Sequence, residues 1–341
     1  MSSMRIHLLD GFDDPGLNRL DWRRLLSAGD TDTVFQTWEW QRTWWDVFGR
    51  GKLLLLVAEH DGQAVACAPL FCDEGMVFFV GSGGSDYLDF VGDVGPSDVL
   101  PAMLDAVRGQ APGFVGFRFY HVPDRSHTGR WLKYAAAILG MICYDEGELA
   151  APALTLAPDV LRQTIRKQSL VRHENFFRRT GLLTVQHFSD GGAIRAQLEE
   201  FFDQHVARWA DTGYPSLFSD PRQRQFYARI AETAGEAGWL RFTRLEWQDR
   251  PIAFHFGFCY HGSYLWYKPS FDIALARNSP GEVLIRQLLL AADAEGACTF
   301  DLGLGDEPFK DRFADHVEWV RTWGLYPEET MAAQPARSEG A

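Results

Sequence analysis

Two segments of the chain carry the pattern of a β-hairpin, and they constrain the fold more than any other feature. In residues 53–71, LLLLVAEHDGQAVACAPLF, apolar strands flank an Asp-Gly pair, which favours the tight connection between antiparallel strands. Residues 239–260, WLRFTRLEWQDRPIAFHFGFCY, repeat this arrangement around a Gln-Asp-Arg turn. Each hairpin precedes a third strand pattern and lies between helical patterns. The sequence therefore predicts an α/β (α+β) protein, with a mainly antiparallel mixed sheet flanked by helices in each half.

The two halves also share the order helices, three strands, helix and strand. Their predicted elements include a helix from Thr37 to Phe48 with Thr37 as its cap, a strand near 141–145, and helices near 192–210 and 221–237. A chain of 341 residues is long enough for two domains, each with its own core. We expect an internal duplication, with domains at 1–155 and 156–326. The alternative is that any α/β chain contains hairpins between helices. The polar segment 327–341 is predicted to be a disordered tail.

Charge and cysteine usage exclude several functions. The formal net charge of −13 argues against a protein that binds nucleic acid over its whole surface. The five cysteines form no CxxC pair, which is typical of free thiols in a reducing compartment and predicts neither a metal site nor a disulfide framework. No apolar run has the length of a signal peptide core or a membrane span, so we predict a cytoplasmic protein without a membrane span.

A helix is predicted to begin at Ser279-Pro280-Gly281-Glu282. Ser at the N-cap, Pro at the first helical position and Glu three residues after the cap predict a capping box. A helix N-terminus is also a potential anion site, to which Arg277 would add positive charge. Arg277, Ser279 and Gly281 are therefore candidate cofactor-binding residues, with structural capping as the alternative for Ser279 and Glu282.

The segment FDLGLGDEPFK, residues 300–310, follows a short buried strand. Asp301 near the strand end is a candidate for accepting a proton or orienting an amine. Lys310 is a candidate for pairing with Asp301 or for binding substrate phosphate as a point charge. The alternatives are that Asp301 caps a turn and that Lys310 is solvated.

A basic helix near 158–179 is a local exception to the acidic charge. We expect it to receive a polyanion, such as an RNA phosphate or a nucleotide-linked sugar, through residues such as Arg166; a solvated helix face is the alternative. Its basic residues are Arg162, Arg166, Lys167, Arg172, Arg178 and Arg179.

Further candidates lie on strands and in one loop. His255 is the best single candidate for a general base if it lines a cleft, and a core histidine if it does not. Tyr267 lies on a strand that alternates aromatic and polar residues. The loop GSGGSDY, residues 81–87, offers Asp86 and Tyr87 for recognition of substrate hydroxyls.

Four stretches resemble the GNAT-fold acyltransferases of the cellulose-biosynthesis (CelD-like) type, relatives of the Fem peptidoglycan aminoacyltransferases. They are FQTWEWQRTWWDVFG (35–49), the basic helix with its RRTG ending (178–181), HVARWADTGYPSLFSDPRQRQFYARI (205–230), which contains the substrate-binding candidate Trp209, and SPGEVLIRQLLLAADAEGACTFDLGLGDEPFKDRFA (279–314). The resemblance implies two tandem GNAT-like domains and direct transfer of an acyl group to an amine or hydroxyl. Carried over by position, the family's closing loop corresponds to Asp301, Gly305 and Lys310.

The donor expected from this resemblance is acyl-CoA, a co-substrate, with a sugar, peptide or natural product as acceptor. Simple GNAT enzymes hold the CoA pyrophosphate with R/Q-x-x-G-x-G/A, whereas Arg277–Glu282 places Pro and Glu at the two glycine positions. Two alternatives therefore stay open: a Fem-like aminoacyltransferase that uses charged tRNA, and a non-catalytic binding protein with this fold.

Overall fold

The computed structural model describes residues 4–328 of the chain. The helices form where apolar residues recur at helical spacing, and several begin at a side-chain cap, such as Thr37, which accepts a hydrogen bond from the backbone N–H of Trp40. The helices are α1 (Arg19–Ala28), α2 (Trp38–Phe48), α3 (Val99–Gln110), α4 (Thr128–Ile138), α5 (Pro158–Ile165), α6 (Gln168–Thr180), α7 (Gly191–Arg195), α8 (Leu198–Trp209), α9 (Pro221–Ala237) and α10 (Pro280–Ala294).

The strands include both predicted hairpins. Their two-residue turns have positive φ at both central positions, Asp61-Gly62 and Gln248-Asp249, as tight hairpin turns require. The strands are β1 (Met4–Leu9), β2 (Lys52–His60), β3 (Gln63–Asp73), β4 (Met76–Phe79), β5 (Val91–Gly92), β6 (Gly116–Pro123), β7 (Met141–Thr155), β8 (Leu183–Phe188), β9 (Leu240–Trp247), β10 (Arg250–Tyr260), β11 (Ser263–Phe271), β12 (Thr299–Asp301) and β13 (His316–Pro327).

The chain divides into two compact units, with one boundary inside β7. Within the described residues, unit 1 comprises 4–150 and 318–328, and unit 2 comprises 151–317. The predicted limits of 155 and 326 differ from this division mainly at the C-terminal end. Most of β13 belongs to unit 1 because it pairs with β6. The predicted disordered tail lies almost entirely outside the described residues.

Within each unit the strands pair in a mixed, mainly antiparallel arrangement flanked by helices, which confirms the predicted fold class. In unit 1 the strands β1, β2, β3 and β4 pair antiparallel in chain order, β4 pairs parallel with β6, and β6 pairs antiparallel with β13. In unit 2 the end of β7 pairs antiparallel with β12, β12 pairs parallel with β11, and β11, β10, β9 and β8 continue antiparallel.

The sheet of unit 2 has two differently packed faces. One face packs against α6 and α10 through an aliphatic core that includes Leu170, Leu284 and Leu288. The other face carries an aromatic cluster in which Phe201 of α8 contacts Phe242 and Phe254. Because side chains alternate along a strand, neighbouring residues of β10 and β11 enter different cores.

The helix predicted near 158–179 is two helices, α5 and α6. The break lies at Arg166 and Lys167, where Lys167 has extended backbone geometry. Tertiary contacts compensate for the interrupted hydrogen-bond ladder, since Arg286 donates to the carbonyl oxygen of Ile165 over 2.9 Å and Lys167 donates to that of Arg312. The helix predicted near 192–210 is likewise divided, into α7 and α8.

Candidate functional site

Unit 2 contains a cleft of about 260 Å³ at the N-terminus of α10. We call it the α10 cleft. Its walls come from the end of β11, the 3₁₀ helix 273–278, the first turns of α10 and the short 3₁₀ helix 310–312. Arg208, near the C-terminus of α8, completes the lining. Side chains from four separate parts of the sequence thus meet in one concave site.

The start of α10 differs from the predicted capping box. Ser279 occupies the N-cap position with left-handed geometry (φ 51°), and its side chain makes no capping hydrogen bond. The backbone N–H groups of Glu282 and Val283 donate instead to the carbonyl oxygen of Ser279. The capping-box prediction is therefore wrong, because the 3₁₀ helix 273–278 leads directly into α10 and leaves Ser279 in the left-handed region, whereas a side-chain N-cap typically has extended backbone geometry.

Glu282 is used in tertiary contacts. Its carboxylate accepts a hydrogen bond from Arg312 over 2.6 Å and lies 3.0 Å from Nδ1 of His173. Burial acts to raise the pKa of Glu282, but the hydrogen bond and charge of Arg312 outweigh it and leave the pKa lowered. Glu282 is thus an ionised, neutralised carboxylate at the cleft and a weak base.

Arg208 is the cationic residue of the cleft without a carboxylate partner among residues 4–328. Its Nη1 donates to the carbonyl oxygen of Pro269 over 2.9 Å, and its guanidinium lies 4.2 Å from the ring centroid of Phe271 and 5.2 Å from that of Trp209. Burial lowers the pKa of Arg208 to about 10, so it is charged at neutral pH. The cleft therefore carries an uncompensated positive charge.

Lys310 is almost fully buried, with 3% relative exposure. Its ammonium group donates to the carbonyl oxygens of Gly303, Leu304 and Gly305 over 3.2, 2.7 and 3.4 Å, and lies 2.7 Å from the carboxylate of Glu307. All of these partners belong to the loop that precedes it. Lys310 therefore orders the loop, and neither substrate binding nor the solvated alternative matches its surroundings.

Asp301 lies at the end of β12, as expected. Its carboxylate accepts a hydrogen bond from the backbone N–H of Gly303 over 2.8 Å, which corresponds to the turn-capping alternative. It does not line the α10 cleft.

His255 lies in the core and not in a cleft. Its relative exposure is 0%, its ring stacks on Trp266 with centroids 5.4 Å apart, and its Nε2 accepts a hydrogen bond from the backbone N–H of Tyr267. Burial lowers the pKa of His255 to about 3. This position corresponds to the core-histidine alternative and removes the solvent access that a general base requires.

Tyr267 and Trp209 are close to the cleft but outside its lining. Tyr267 lies on the opposite face of β11 from Trp266, and its hydroxyl accepts a hydrogen bond from Tyr227 over 3.2 Å. The cleft is lined by the adjacent residue, Trp266. Trp209 stacks on His205, and its buried Nε1 has no hydrogen-bond partner among the described residues.

Of the predicted cofactor-binding residues, Ser279 and Gly281 line the cleft and Arg277 does not. Arg277 is exposed on the adjoining 3₁₀ helix and makes no ion pair with any residue from 4 to 328. A Cβ atom built on Gly281 would lie 3.4 Å from the ring of Phe271, an ordinary van der Waals distance.

The basic helix α6 forms a second concave surface in unit 2, which we call the α6 groove. It measures about 650 Å³ and is lined by Arg166, Arg172 and Arg179 around Phe176. No carboxylate within residues 4–328 pairs with these three arginines. The prediction that Arg166 belongs to a local basic surface is in agreement with this arrangement.

Asp86 and Tyr87 belong to unit 1, in the loop between β4 and β5. Asp86 is half-buried and Tyr87 is buried beside Phe35. The loop is held at Ser85, whose hydroxyl accepts a hydrogen bond from Trp40 Nε1 over 2.9 Å and whose carbonyl oxygen lies 2.8 Å from His121 Nδ1. Tyr87 therefore belongs to the packed core of unit 1.

Sequence reasoning missed Arg208 and Arg312. Arg208 lies in the HVARWADTG stretch, but the adjacent Trp209 was the residue selected there. A usable signal was the position of Arg208 directly before Trp209, in a stretch that carries the family resemblance. In residues 4–328, no group of three or more His, Cys, Asp or Glu side chains is arranged to hold a metal ion, and no helix has the length and apolar character to cross a membrane.

Comparison with known proteins finds one similar domain and several similar folds. Residues 166–311 match the model of the acetyltransferase (GNAT) domain family. No curated protein matches the chain. Among solved structures, FemX has a TM-score of 0.65 at 11% identity, covering 93% of this chain and 98% of its own.

Two other structures have comparable folds. A tandem GNAT protein from the clavulanic acid biosynthesis pathway has a TM-score of 0.53 at 10% identity, covering 95% of this chain and 99% of its own. L-PGS from Bacillus licheniformis has a TM-score of 0.52 at 13% identity, covering 84% and 91%. Residues 166–311 are therefore similar to the GNAT acetyltransferase domain, and the chain has a fold similar to those of FemX and a tandem GNAT protein.

Proposed function

We propose that the protein is an acyltransferase of the CelD-like type, and that the α10 cleft is its reaction site. In this proposal an activated acyl group passes to an amine or hydroxyl of a sugar, peptide or natural-product acceptor. The observation that carries the proposal is the position of the cleft within the segment that resembles a GNAT domain. The lining of the cleft, apart from Arg312 and Phe313, falls within residues 166–311, which match the GNAT domain model.

The chemistry requires little from the side chains beyond positioning. The acceptor nitrogen or oxygen forms a bond to the acyl carbon, the bond from that carbon to the donor's sulfur or oxygen breaks, and the acceptor proton leaves to water. Glu282 is a weak base because Arg312 neutralises it. Apolar walls from Trp266, Phe271 and Phe309 exclude solvent and hold the reactants together, which accounts for a large part of the rate of such reactions.

The first turn of α10 fits a backbone-held CoA pyrophosphate poorly. Pro280 has no N–H, and those of Glu282 and Val283 already donate to Ser279. Among residues 279–283 this leaves the N–H of Gly281, and the carboxylate of Glu282 opposes a phosphate. No step of the proposal depends on that contact. Acyl-CoA remains the expected co-substrate from the sequence resemblance, and Arg277 is the exposed charge that would hold its phosphates.

The matched substitutions Gly281→Ala and Gly281→Leu test the site. Alanine fits beside Phe271, whereas leucine projects into the cleft. We expect G281L to lower thiol release from acetyl-CoA and longer acyl-CoAs, assayed with mixed amine and sugar acceptors, by at least ~10-fold, with unchanged melting temperature. G281A should retain activity. Equal activity of both variants would place the reaction elsewhere, and a wild-type protein that neither binds nor turns over any donor would favour a non-catalytic binding protein.

A second candidate is a Fem-like transferase that uses aminoacyl-tRNA. The α6 groove favours it, because three unpaired arginines surround an aromatic side chain in an otherwise acidic protein. This function requires RNA binding whose affinity falls steeply with salt and is lost when Arg166, Arg172 and Arg179 are changed to Gln. Binding of charged tRNA that is insensitive to salt and to the triple substitution would exclude it.

A further inference from the structure

We infer that the α10 cleft recognises a carboxylate on the acceptor substrate, and that Arg208 is the residue that binds it. This inference rests on the proposed function and specifies its substrate class. The acceptor would be a small molecule, or the end of a larger one, with an apolar body and a single carboxylate beside the reacting amine or hydroxyl.

The charge of the cleft supports a single anionic group. Its ionisable lining consists of Arg208, Arg312 and Glu282, and the last two already form an ion pair at 2.6 Å. The guanidinium of Arg208 is left as the uncompensated charge. A partly buried cation without a counter-charge is costly, whereas a bound carboxylate would neutralise it with short, charge-assisted hydrogen bonds.

The position of the guanidinium supports a planar partner. Nη1 is occupied by the carbonyl oxygen of Pro269, and the ring of Phe271 lies 4.2 Å from the guanidinium carbon. These two contacts fix the group's orientation and leave other N–H donors of the guanidinium available. Guanidinium donors form a rigid fork that matches the two oxygens of a carboxylate, which an ammonium group does not reproduce.

The remaining walls define the rest of the ligand. Trp266, Leu284, Ile285, Phe309 and Phe313 give an apolar lining around the charged end. The volume of about 260 Å³ lies just below the range of roughly 300–1,000 Å³ typical of drug-sized ligand sites. The cleft therefore suits a compact carboxylate with an aliphatic or aromatic body.

Binding of 3-phenylpropanoate to the full-length protein, measured by calorimetry, tests the inference. Its amide, 3-phenylpropanamide, has the same shape without the charge, and phenyl phosphate carries a different anion. We expect the carboxylate to bind wild-type protein about 10- to 100-fold more tightly than the amide, as hydrogen bonds between charged groups predict. Arg208→Gln should remove this difference, and Arg208→Lys should restore only part of it.

Arg222→Gln is the matched control, since it removes the same charge from an exposed residue of α9 that does not line the cleft. Its carboxylate affinity should remain within about twofold of wild type. Equal binding of acid and amide to wild-type protein, or unchanged acid binding by R208Q, would overturn the inference. Tighter, Arg208-dependent binding of phenyl phosphate would overturn the carboxylate assignment in favour of a phosphate.

The comparison of acid and amide on wild-type protein does not depend on how the variants fold. It also separates this inference from the proposed function. Selective carboxylate binding without any acyl transfer would support the carboxylate site and contradict the proposed acyltransferase function. Transfer to carboxylate-bearing acceptors at equal rates by wild type and R208Q would support the transferase and exclude the carboxylate site.

Discussion

The ammonium group of Lys310 donates a hydrogen bond to the carbonyl oxygen of Leu304 over 2.7 Å, from a side chain with 3% relative exposure. The same nitrogen also contacts the carbonyl oxygens of Gly303 and Gly305. A lysine that the sequence suggests for ligand binding thus satisfies the backbone of a Gly-rich loop. The order of the loop 303–309 depends on Lys310. The charged residues of the α10 cleft are Arg208, Glu282 and Arg312.

Replacing Lys310 should therefore destabilise the protein. Lys310→Met leaves the carbonyl groups of residues 303–305 without this donor, and we expect the free energy of unfolding to fall by about 2–4 kcal/mol. Urea denaturation measures it. Glu307→Gln is the control, because its carboxylate is exposed, and its cost should stay below about 1 kcal/mol. If K310M is as stable as wild type but no longer binds substrate, Lys310 is a substrate-binding residue after all.

The unusual start of α10 leads to a second prediction. Ser279 makes no side-chain cap and has positive φ, so Ser279→Ala should change the free energy of unfolding by less than about 0.5 kcal/mol. Ser279→Gly should raise it by up to ~1 kcal/mol, because glycine adopts this geometry without steric cost. Thr37→Ala removes a cap that the structure does contain, and should cost about 1 kcal/mol. A similar loss in S279A would mean that Ser279 caps α10 in solution.

Buried histidines should make stability fall in acid. The pKa of His255 is lowered from 6.5 to about 3 by burial, and burial likewise lowers that of His205 to about 3. Between these values the unfolded chain binds protons that the folded protein does not. Above pH ~6.5 both states are unprotonated at these histidines, and they do not reduce the free energy of unfolding. As the pH falls from there towards 3, each histidine should lower the free energy of unfolding by about 1.4 kcal/mol per pH unit.

Denaturation of His255→Asn at several pH values between 4 and 7 checks this. Its overall stability will be lower, but the slope against pH should be about 1.4 kcal/mol per unit shallower than that of wild type. His261→Asn changes an exposed residue in a left-handed turn position that asparagine tolerates, and it is the control for the loss of a histidine as such. Equal slopes in H255N and wild type would show that His255 is not buried as a neutral group.

A carboxylate buried in α6 provides the fourth prediction. Glu174 accepts a hydrogen bond from Arg178 within α6, and hydrogen bonds from Arg286 and Gln287 that join α6 to α10. Glu174→Ala leaves Arg286 partly buried without its partner, and should cost about 3–5 kcal/mol in the free energy of unfolding. Arg178→Ala removes a half-exposed partner and should cost less than about 1 kcal/mol. A similar loss of stability in E174A and R178A would contradict the expectation that the buried carboxylate matters more than its half-exposed partner.

The sequence was most informative where local signals suffice. The tight turns at Asp61-Gly62 and Gln248-Asp249, the Thr37 cap and the limits of α9 all follow from short-range patterns, and the structure confirms them. Segments that depend on distant partners were predicted less well. The pattern gave β7 only residues 141–145, whereas the strand runs to Thr155, because polar residues in its middle hide its alternation and Arg321 of β13 pairs with its Asp145. The sequence did not predict β13, because its pairing partner β6 is about 200 residues away in the chain.

The sequence by itself therefore determined the fold class, most of the elements and the resemblance to GNAT acyltransferases, since periodicity and turn chemistry act between neighbouring residues. Only the tertiary structure decided what individual polar residues do. His255 became a core residue, Lys310 a support for its own loop, and Arg208 the unpaired charge of a cleft. Burial and the presence or absence of a partner set these roles, and both depend on elements that are distant in the chain.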